Sequence, residues 1–137
     1  MKIIEYQNRK YTLLGDIQAS TFLMYLVDES NPEDYKLIYQ KLSDKNQFCM
    51  IVVTIHDWQG ELSPWAAPAI FGKHDFAGNA SLLLSELERF WDWFQSDNQV
   101  ETDRLYLCGY SLAGLFALWS SCQTNLFKKV AAVSPSV

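Results

Sequence analysis

One serine of this 137-residue sequence lies in a pattern that could support nucleophilic catalysis. The apolar, strand-like run RLYLC at residues 104–108 leads directly into GYSLAG at 109–114, and a stretch of helical composition follows. A serine on such a sharp strand-to-helix turn has a strained backbone and projects its hydroxyl above the sheet. Strand and helix approach closely there, so the residues two before and two after must be small, as Gly109 and Ala113 are. The pattern predicts that Ser111 is a nucleophile, and a serine that merely caps a helix is the alternative.

The helix after Ser111 also predicts where a negatively charged oxygen would be stabilised. Free N–H groups and the dipole at a helix N-terminus favour negative charge, so the backbone N–H of Leu112 is a candidate oxyanion donor. A second donor should come from the loop after an earlier strand, and IVVTIHDWQG at residues 51–60 fits that description. We predict the backbone N–H of Trp58 as this donor and that of Asp57 as the second choice. The alternative is an ordinary polar loop.

A serine hydroxyl also needs a base that accepts its proton, and the sequence contains two histidines. His56 follows an apolar strand and should lie near Ser111, but a histidine at this position more often shapes the oxyanion loop. His74 stands beside Asp75 in a long loop, where a solvated pair is the alternative to a catalytic dyad. We hypothesise that neither histidine is the base.

Composition and charge restrict the possible partners. The chain is 49% hydrophobic and 20% charged, as in a globular domain. The net charge is −5 and no basic stripe is visible, which argues against nucleic acid as a partner. The spacing of the three cysteines fits neither a metal site nor a disulfide framework, so we expect a reducing, cytoplasmic environment.

The organisation of the chain predicts a single domain over residues 1–137. The N-terminus turns polar after four residues, unlike a signal peptide, and no apolar run approaches the ~20 residues of a membrane span. We therefore expect no membrane partner. No stretch rich in Pro, Gly and Ser divides the sequence.

Apolar runs and helical periodicity predict an α/β fold. Strands are expected at Lys2–Tyr6, Lys10–Leu14, Thr21–Val27, Phe48–Ile55, Arg104–Cys108 and Lys129–Val133. One helix should be capped by Asn31, and a second, capped by Asn79, should span Ala80–Phe94 with Leu83, Leu87, Phe90 and Phe94 on one face. The segment from His56 to Asn79 reads as a loop. This order indicates a mainly parallel open sheet with helices on both faces and ligands at the carboxyl ends of its strands.

These residues together resemble serine esterases of the α/β-hydrolase fold. The resemblance covers Thr21–Val137 and is carried by the serine turn, by DWQGELSPWAAPAIFGKHDFAG at 57–78 and by AAVSPSV at 131–137. Ala113 and Asp57 stand where such esterases often have glycine. The resemblance implies acyl transfer from an ester, or from a thioester or peptide, to water, with no metal and no organic cofactor. For such an enzyme Trp65, Phe71 and Tyr110 are candidate walls of the pocket, and ordinary packing is the alternative for Tyr110.

The resemblance implies a triad in the order Ser, Asp or Glu, His. The sequence ends at Val137, where the region of the acid would begin, so neither partner of Ser111 can be assigned and we expect impaired catalysis. A sheet truncated after Lys129–Val133 would expose an unpaired edge, which predicts a homo-oligomer. A non-catalytic interaction module is one alternative, and an unrelated doubly wound domain that binds an anion at a helix N-terminus is another.

Overall fold

The computed structural model describes residues 1–45, 47–68 and 75–135. The strands of this part are β1 Lys2–Tyr6, β2 Arg9–Gly15, β3 Phe22–Asp28, β4 Cys49–Ile55, β5 Ala66–Ala67, β6 Phe76–Ala77, β7 Leu105–Tyr110 and β8 Lys129–Val133. The helices are α1 Lys36–Ser43, α2 Trp58–Leu62, α3 Ala80–Asn98 and α4 Leu112–Gln123. Every strand that the apolar runs predicted is present, two of them with the predicted bounds and the others with bounds shifted by one or two residues.

The main sheet has the strand order β1-β2-β4-β3-β7-β8, while β5 and β6 form a separate ribbon. Strands β4, β3, β7 and β8 are parallel, and β2 pairs antiparallel with both β1 and β4. All seven residues of β4 are buried, as expected for a strand that is covered on both faces. The prediction of a mainly parallel α/β sheet is confirmed.

Helices cover both faces of this sheet, as predicted. On one face α3 and α4 share a core with Phe22, Met24 and Leu26 of β3. On the other face α1 packs over Tyr25 and Val27 of the same strand. The alternation follows from the two-residue period of a β-strand, which sends successive side chains to opposite faces.

The connections change direction beside β3, and this change places the candidate serine. The chain leaves β3 through α1 on one face, and it leaves β7 through α4 on the opposite face. Adjacent parallel strands whose following helices diverge leave a crevice between their carboxyl ends, where open α/β sheets bind ligands. Ser111 directly follows β7 and therefore lies at this crevice.

The long helix α3 confirms the periodicity prediction and runs four residues further than expected. Leu83, Leu87, Phe90 and Phe94 are buried, and each stabilises the fold by ~1.5–3 kcal/mol relative to an exposed side chain. Asn79 lies at the cap position, but its side chain makes no capping hydrogen bond. No helix in the described part of the chain, α3 included, has both the length and the apolar character needed to cross a membrane.

The first helix begins later than the sequence predicted. Instead of capping a helix, Asn31 lies in a turn in which its N–H donates to the Asp28 carbonyl at 2.9 Å, and α1 starts at Lys36. Tyr35 at the helix start is buried in the core beneath α1. Tertiary burial of Tyr35 thus determines the start of the helix, and the local capping signal at Asn31 and Pro32 does not.

The segment from His56 to Asn79, predicted as a loop, contains regular structure. The short helix α2 contacts both α3 and α4, and β5 pairs antiparallel with β6. A five-residue helix is too short to show a periodic apolar pattern, so the sequence did not reveal it. Phe71 and His74 lie outside the described residues.

Candidate active site

Ser111 occupies a strained position at the turn between β7 and α4. Its backbone has φ 59° and ψ −119°, a region that residues with a side chain rarely adopt. The Ser111 N–H donates to the Val133 carbonyl of β8 at 2.9 Å, and the Ser111 carbonyl accepts the Gly114 N–H at 2.9 Å. Such a conformation costs roughly 1–3 kcal/mol and persists only where the surroundings enforce it. Strand β8 and the first turn of α4 provide that enforcement.

A side chain at position 109 has no room. A Cβ atom on Gly109 would lie 2.2 Å from the carbonyl oxygen of Ala113 and 3.0 Å from the Ala113 Cβ. Ala113 itself is fully buried. Strand β7 and helix α4 therefore meet at the two positions that the sequence pattern required to be small.

The N-terminus of α4 presents a backbone amide beside Ser111. Leu112 is the first residue of this 12-residue helix, so its N–H has no carbonyl of the same helix to bond. The helix dipole adds partial positive charge at the same end. A negatively charged oxygen close to the Ser111 hydroxyl would be stabilised here, and the assignment of Leu112 as an oxyanion donor stays a prediction.

The second predicted donor lies in the turn between β4 and α2. The N–H groups of His56 and Asp57 both donate to Oε2 of Glu61, each at 2.9 Å, and the Asp57 carboxylate accepts the Gly60 N–H at 3.1 Å. Asp57, the second choice as donor, therefore already has an acceptor for its N–H. Trp58 is the first residue of α2, so its N–H lacks an acceptor within its own helix.

The strand order of the sheet offers another location for the second oxyanion donor, the turn after β3. Strand β3 is the neighbour of β7, whereas β4 lies one strand further away, although α2 itself contacts α4. In the turn after β3, the Glu29 N–H donates to the Ile55 carbonyl at 3.0 Å, and the Ser30 N–H donates to Oδ1 of Asp28 at 3.2 Å. The Glu29 and Ser30 amides, like that of Asn31 in the same turn, are thus engaged, and Trp58 stays the predicted donor.

A buried arginine supports the turn that leads into Trp58. The Arg9 side chain is only 4% exposed; it donates to the Thr54 carbonyl at 2.8 Å and pairs with the carboxylates of Glu61 and Glu86. Burial alone would raise the pKa of Glu61, but the hydrogen bonds from Arg9 and from the turn amides together lower it. Glu61 is therefore a carboxylate at neutral pH, with both oxygens accepting hydrogen bonds.

His56 is engaged at both ring nitrogens. Nδ1 lies 2.9 Å from Oε2 of Glu29, and Nε2 lies 3.1 Å from the carbonyl oxygen of Asn8 in the β1–β2 hairpin. Both partners only accept hydrogen bonds, so both contacts form together only in the doubly protonated imidazolium. The hydrogen bond to Glu29 raises the pKa of His56, in agreement with that charge state.

A cleft of about 780 Å³ opens at the carboxyl ends of β3 and β4. It is lined by Asp28, Glu29, Ser30, His56, Asp57, Trp58 and Gln59. Of the three residues predicted to wall a pocket, Tyr110 is 52% exposed, Trp65 is 60% exposed, and Phe71 lies outside the described residues. Trp65 and Tyr110 are absent from the lining of this cleft.

Sequence reasoning missed Arg9, Glu29 and Glu61. Glu61 gave no recognised signal, because the capping box has its acidic residue three positions after the cap, and Gly60 stands there after Asp57. Arg9 gave no signal either, since an arginine beside a turn is ordinarily solvated. Among the described residues, no group of three or more His, Cys, Asp or Glu side chains is arranged to hold a metal ion.

Solved structures of known proteins share this architecture. No protein-family model matches the sequence, and no curated protein matches it either. Among solved structures, an IroE-like serine hydrolase from Shewanella oneidensis superposes with a TM-score of 0.74 at 16% identity over 98% of this chain and 49% of that one. The chain has an α/β-hydrolase-like fold.

Two further structures extend the likeness. The siderophore hydrolase EstA from Aspergillus nidulans matches with a TM-score of 0.65 at 21% identity, over 98% of this chain and 57% of that one. FphF, a fluorophosphonate-binding serine hydrolase of Staphylococcus aureus, matches with a TM-score of 0.61 at 13% identity, over 98% and 55%. The chain therefore spans about half the length of these serine hydrolases.

Proposed function

We propose that this chain acts as an esterase-type serine hydrolase in which Ser111 is the nucleophile of an acyl transfer to water. The observation that carries the proposal is the backbone conformation of Ser111. This residue has a φ of 59° and lies in the turn between a parallel strand and a helix. A nucleophile elbow requires a strained serine at this place in a strand–turn–helix unit. A serine that only caps a helix has a relaxed extended backbone, and its side chain bonds a first-turn amide; no such cap bond forms here.

The proposed chemistry uses two backbone donors. The Ser111 hydroxyl attacks the acyl carbon and releases its proton to water, and the N–H groups of Leu112 and Trp58 stabilise the oxyanion of the tetrahedral intermediate. That intermediate collapses by breaking the ester C–O bond, so the alcohol leaves with a proton from water, and a second water molecule then hydrolyses the acyl-enzyme to the acid and free Ser111. Support comes from the helices themselves, since both N–H groups begin a helix and the two helices are in contact. No metal and no organic cofactor takes part in this scheme.

His56 is not the base in this proposal. A base must accept the serine proton, and an imidazolium that already donates from both nitrogens cannot accept one. Residues 112–137 contain no Asp, Glu or His, so this 137-residue chain offers no triad partner after Ser111. We therefore expect impaired catalysis from the chain by itself. An H56A variant that stays folded yet loses all esterase turnover would contradict the exclusion of His56.

The substrate proposed is a small molecule with an ester bond, and thioesters and peptides are secondary possibilities. Siderophores belong among the esters to test, because EstA is a siderophore hydrolase. Trp65, Tyr110 and Phe71 are the proposed pocket walls. The carboxylate and amide side chains of Glu29, Asp57 and Gln59 in the cleft beside His56 favour a substrate with hydroxyl or amide groups on the part that it would hold.

We also propose a reducing, cytoplasmic environment and partners other than nucleic acid or membrane. All three cysteines are unpaired, and burial raises the pKa of the Cys49 thiol to about 12. A thiol that stays protonated resists oxidation and disulfide exchange. Thiol titration of the native and the urea-unfolded protein should give one and three reactive groups, respectively.

Labelling with a fluorophosphonate probe tests the proposed function directly. The purified chain is incubated with the probe beside an S111A control, and both are analysed by intact mass. An adduct on the wild type that is lost in S111A supports a hydrolase site at Ser111. A folded wild-type protein without any adduct would contradict the proposal.

A non-catalytic interaction module is the second candidate, and the open edge of β8 favours it. In the described residues β8 pairs only with β7, and Val133 is 43% exposed. Exposed strand edges pair readily with other chains. We propose a homo-oligomer formed through this edge, and a monodisperse monomer in light scattering would contradict it.

A further inference from the structure

One carboxylate holds the turn that leads into Trp58. Glu61 accepts the backbone N–H groups of His56 and Asp57 through the same oxygen, Oε2, each at 2.9 Å. Two consecutive amides that share one acceptor must both point at it. The peptide planes of the turn are therefore fixed relative to α2, the helix that carries Glu61.

A buried cation fixes that carboxylate in turn. Arg9 pairs with the second oxygen of Glu61, donates to the Thr54 carbonyl at 2.8 Å, and pairs with Glu86 at 3.0 Å. Thr54 belongs to β4, Glu61 to α2 and Glu86 to α3, so the arginine links three elements to its own strand, β2. Its buried Nε atom has no hydrogen-bond partner in the described residues, so the guanidinium is held at a cost in hydration.

We propose that Glu61, oriented by Arg9, is a positioning residue of the active site: it fixes the His56–Asp57 turn and thereby the direction of the Trp58 N–H. The inference rests on the proposed function and adds a residue to it. An oxyanion donor acts only when it is aimed at the developing charge, and a misplacement of 1 Å can reduce the rate on the order of a hundredfold. Without Glu61, the two amides would lose their shared acceptor and the turn could rotate.

Glu86 provides a matched control. It pairs with the same arginine as Glu61 and lies in the same polar cluster, but of these two carboxylates only Glu61 accepts hydrogen bonds from the turn amides. E61A and E86A therefore both remove one carboxylate from Arg9, and only E61A removes the acceptor of the turn. E61Q serves as a milder variant, because its amide oxygen can still accept from the turn but its NH₂ group faces Arg9.

The experiment combines amide exchange with probe kinetics on the full chain. Hydrogen exchange is measured for the His56 and Asp57 amides, and fluorophosphonate labelling is separated into its maximal rate and its half-saturating concentration. We expect E61A to raise both exchange rates by about tenfold and to lower the maximal labelling rate by about tenfold, with the half-saturating concentration unchanged. E61Q should lie between E61A and the wild type, and E86A should change neither readout by more than about twofold.

The outcomes separate the two proposals. Equal labelling rates for E61A and E86A, or unchanged amide exchange in E61A, would overturn the positioning role of Glu61 and leave Ser111 untouched. If E61A does not fold, the same comparison between E61Q and E86A decides the question. A wild-type protein that the probe does not label would overturn the proposed function, and the positioning role of Glu61 with it.

Discussion

The two turns at the carboxyl edge of the sheet are built by opposite means. The turn at Ser111 is held by backbone packing. Gly109 admits no side chain, and contacts with β8 and α4 hold the serine at a left-handed φ. The turn at His56 and Asp57 is held by charge, through Glu61 and the buried Arg9. A turn held by packing has no room for an added atom but is insensitive to pH and salt. A turn held by ion pairs accommodates changes in side-chain size but depends on the ionisation of its charged groups. The turn at Ser111 should therefore be disrupted by added side-chain volume, and the turn at His56 and Asp57 by the loss of charge.

The largest effect is expected where a side chain enters the packed turn. Gly109→Val places atoms against the Ala113 backbone, where even a Cβ would lie at 2.2 Å, and should destabilise the fold by about 4 kcal/mol or more. Urea unfolding measures this. Gly114→Ala is the control, since its added Cβ would meet Pro135 at 3.1 Å and should cost far less. Similar losses in the two variants would refute the packing account.

The charged turn should be less sensitive to size and more sensitive to the loss of charge. Arg9→Met keeps much of the side-chain volume but leaves the carboxylates of Glu61 and Glu86 without their cation. We expect a loss of about 3 kcal/mol in the free energy of unfolding, because breaking a buried pair leaves uncompensated charge. The double variant that also carries E61Q should recover part of it. A loss below 1 kcal/mol in the single variant would show that the network contributes little.

Strain at Ser111 predicts a gain in stability at the expense of function. Ser111→Gly removes the side chain that makes a φ of 59° unfavourable and should stabilise the fold by about 1 kcal/mol, after allowance for the greater freedom of glycine when unfolded. Ser111→Ala, which keeps the strain, should unfold close to the wild type. Thermal unfolding of the two variants side by side checks this, and equal stability of both would argue against stored strain.

The smallest effect concerns His56 and pH. Its pKa is raised by the hydrogen bond to Glu29, so the stabilisation is fully present below about pH 6.5 and disappears as the pH rises through the folded-state value. The ring is 47% exposed, so solvent screening limits the contribution to about 0.5 kcal/mol. The stability difference between wild type and His56→Gln should therefore shrink from pH 5.5 to pH 9. A difference that grows over that range would contradict the assigned charge state.

Local sequence patterns predicted most of the fold, but of the two turns at the carboxyl edge of the sheet they predicted only the one at Ser111. Continuous apolar runs identified β4 and β7, and helical spacing identified the buried face of α3, because both patterns follow from burial on a regular backbone. The turn at Ser111 was predictable for the same reason, since small residues at Gly109 and Ala113 are a local requirement. The late start of α1 was not, because burial of Tyr35 depends on a neighbouring element.

The charged network was out of reach of sequence reasoning. Arg9, Glu61 and Glu86 come from three different elements, and no spacing rule connects residues that are brought together only by the sheet order β1-β2-β4. The same holds for His56, whose contacts with Glu29 and Asn8 decide its charge state. A pattern placed that histidine at the correct end of its strand but could not show which way its ring would face.

The separation of Arg9 from its partners has a consequence for how the protein folds. Its contacts with Glu61 and Glu86 span 52 and 77 residues of sequence, so they close only after β2 has paired with β4 and α3 has docked. Contacts between distant parts of a chain form late, because the intervening loops must first be closed. The order of the His56–Asp57 turn should therefore appear last during refolding, together with the final cooperative step. A chain that is still folding therefore has its strands paired at the carboxyl edge of the sheet before the His56–Asp57 turn is ordered.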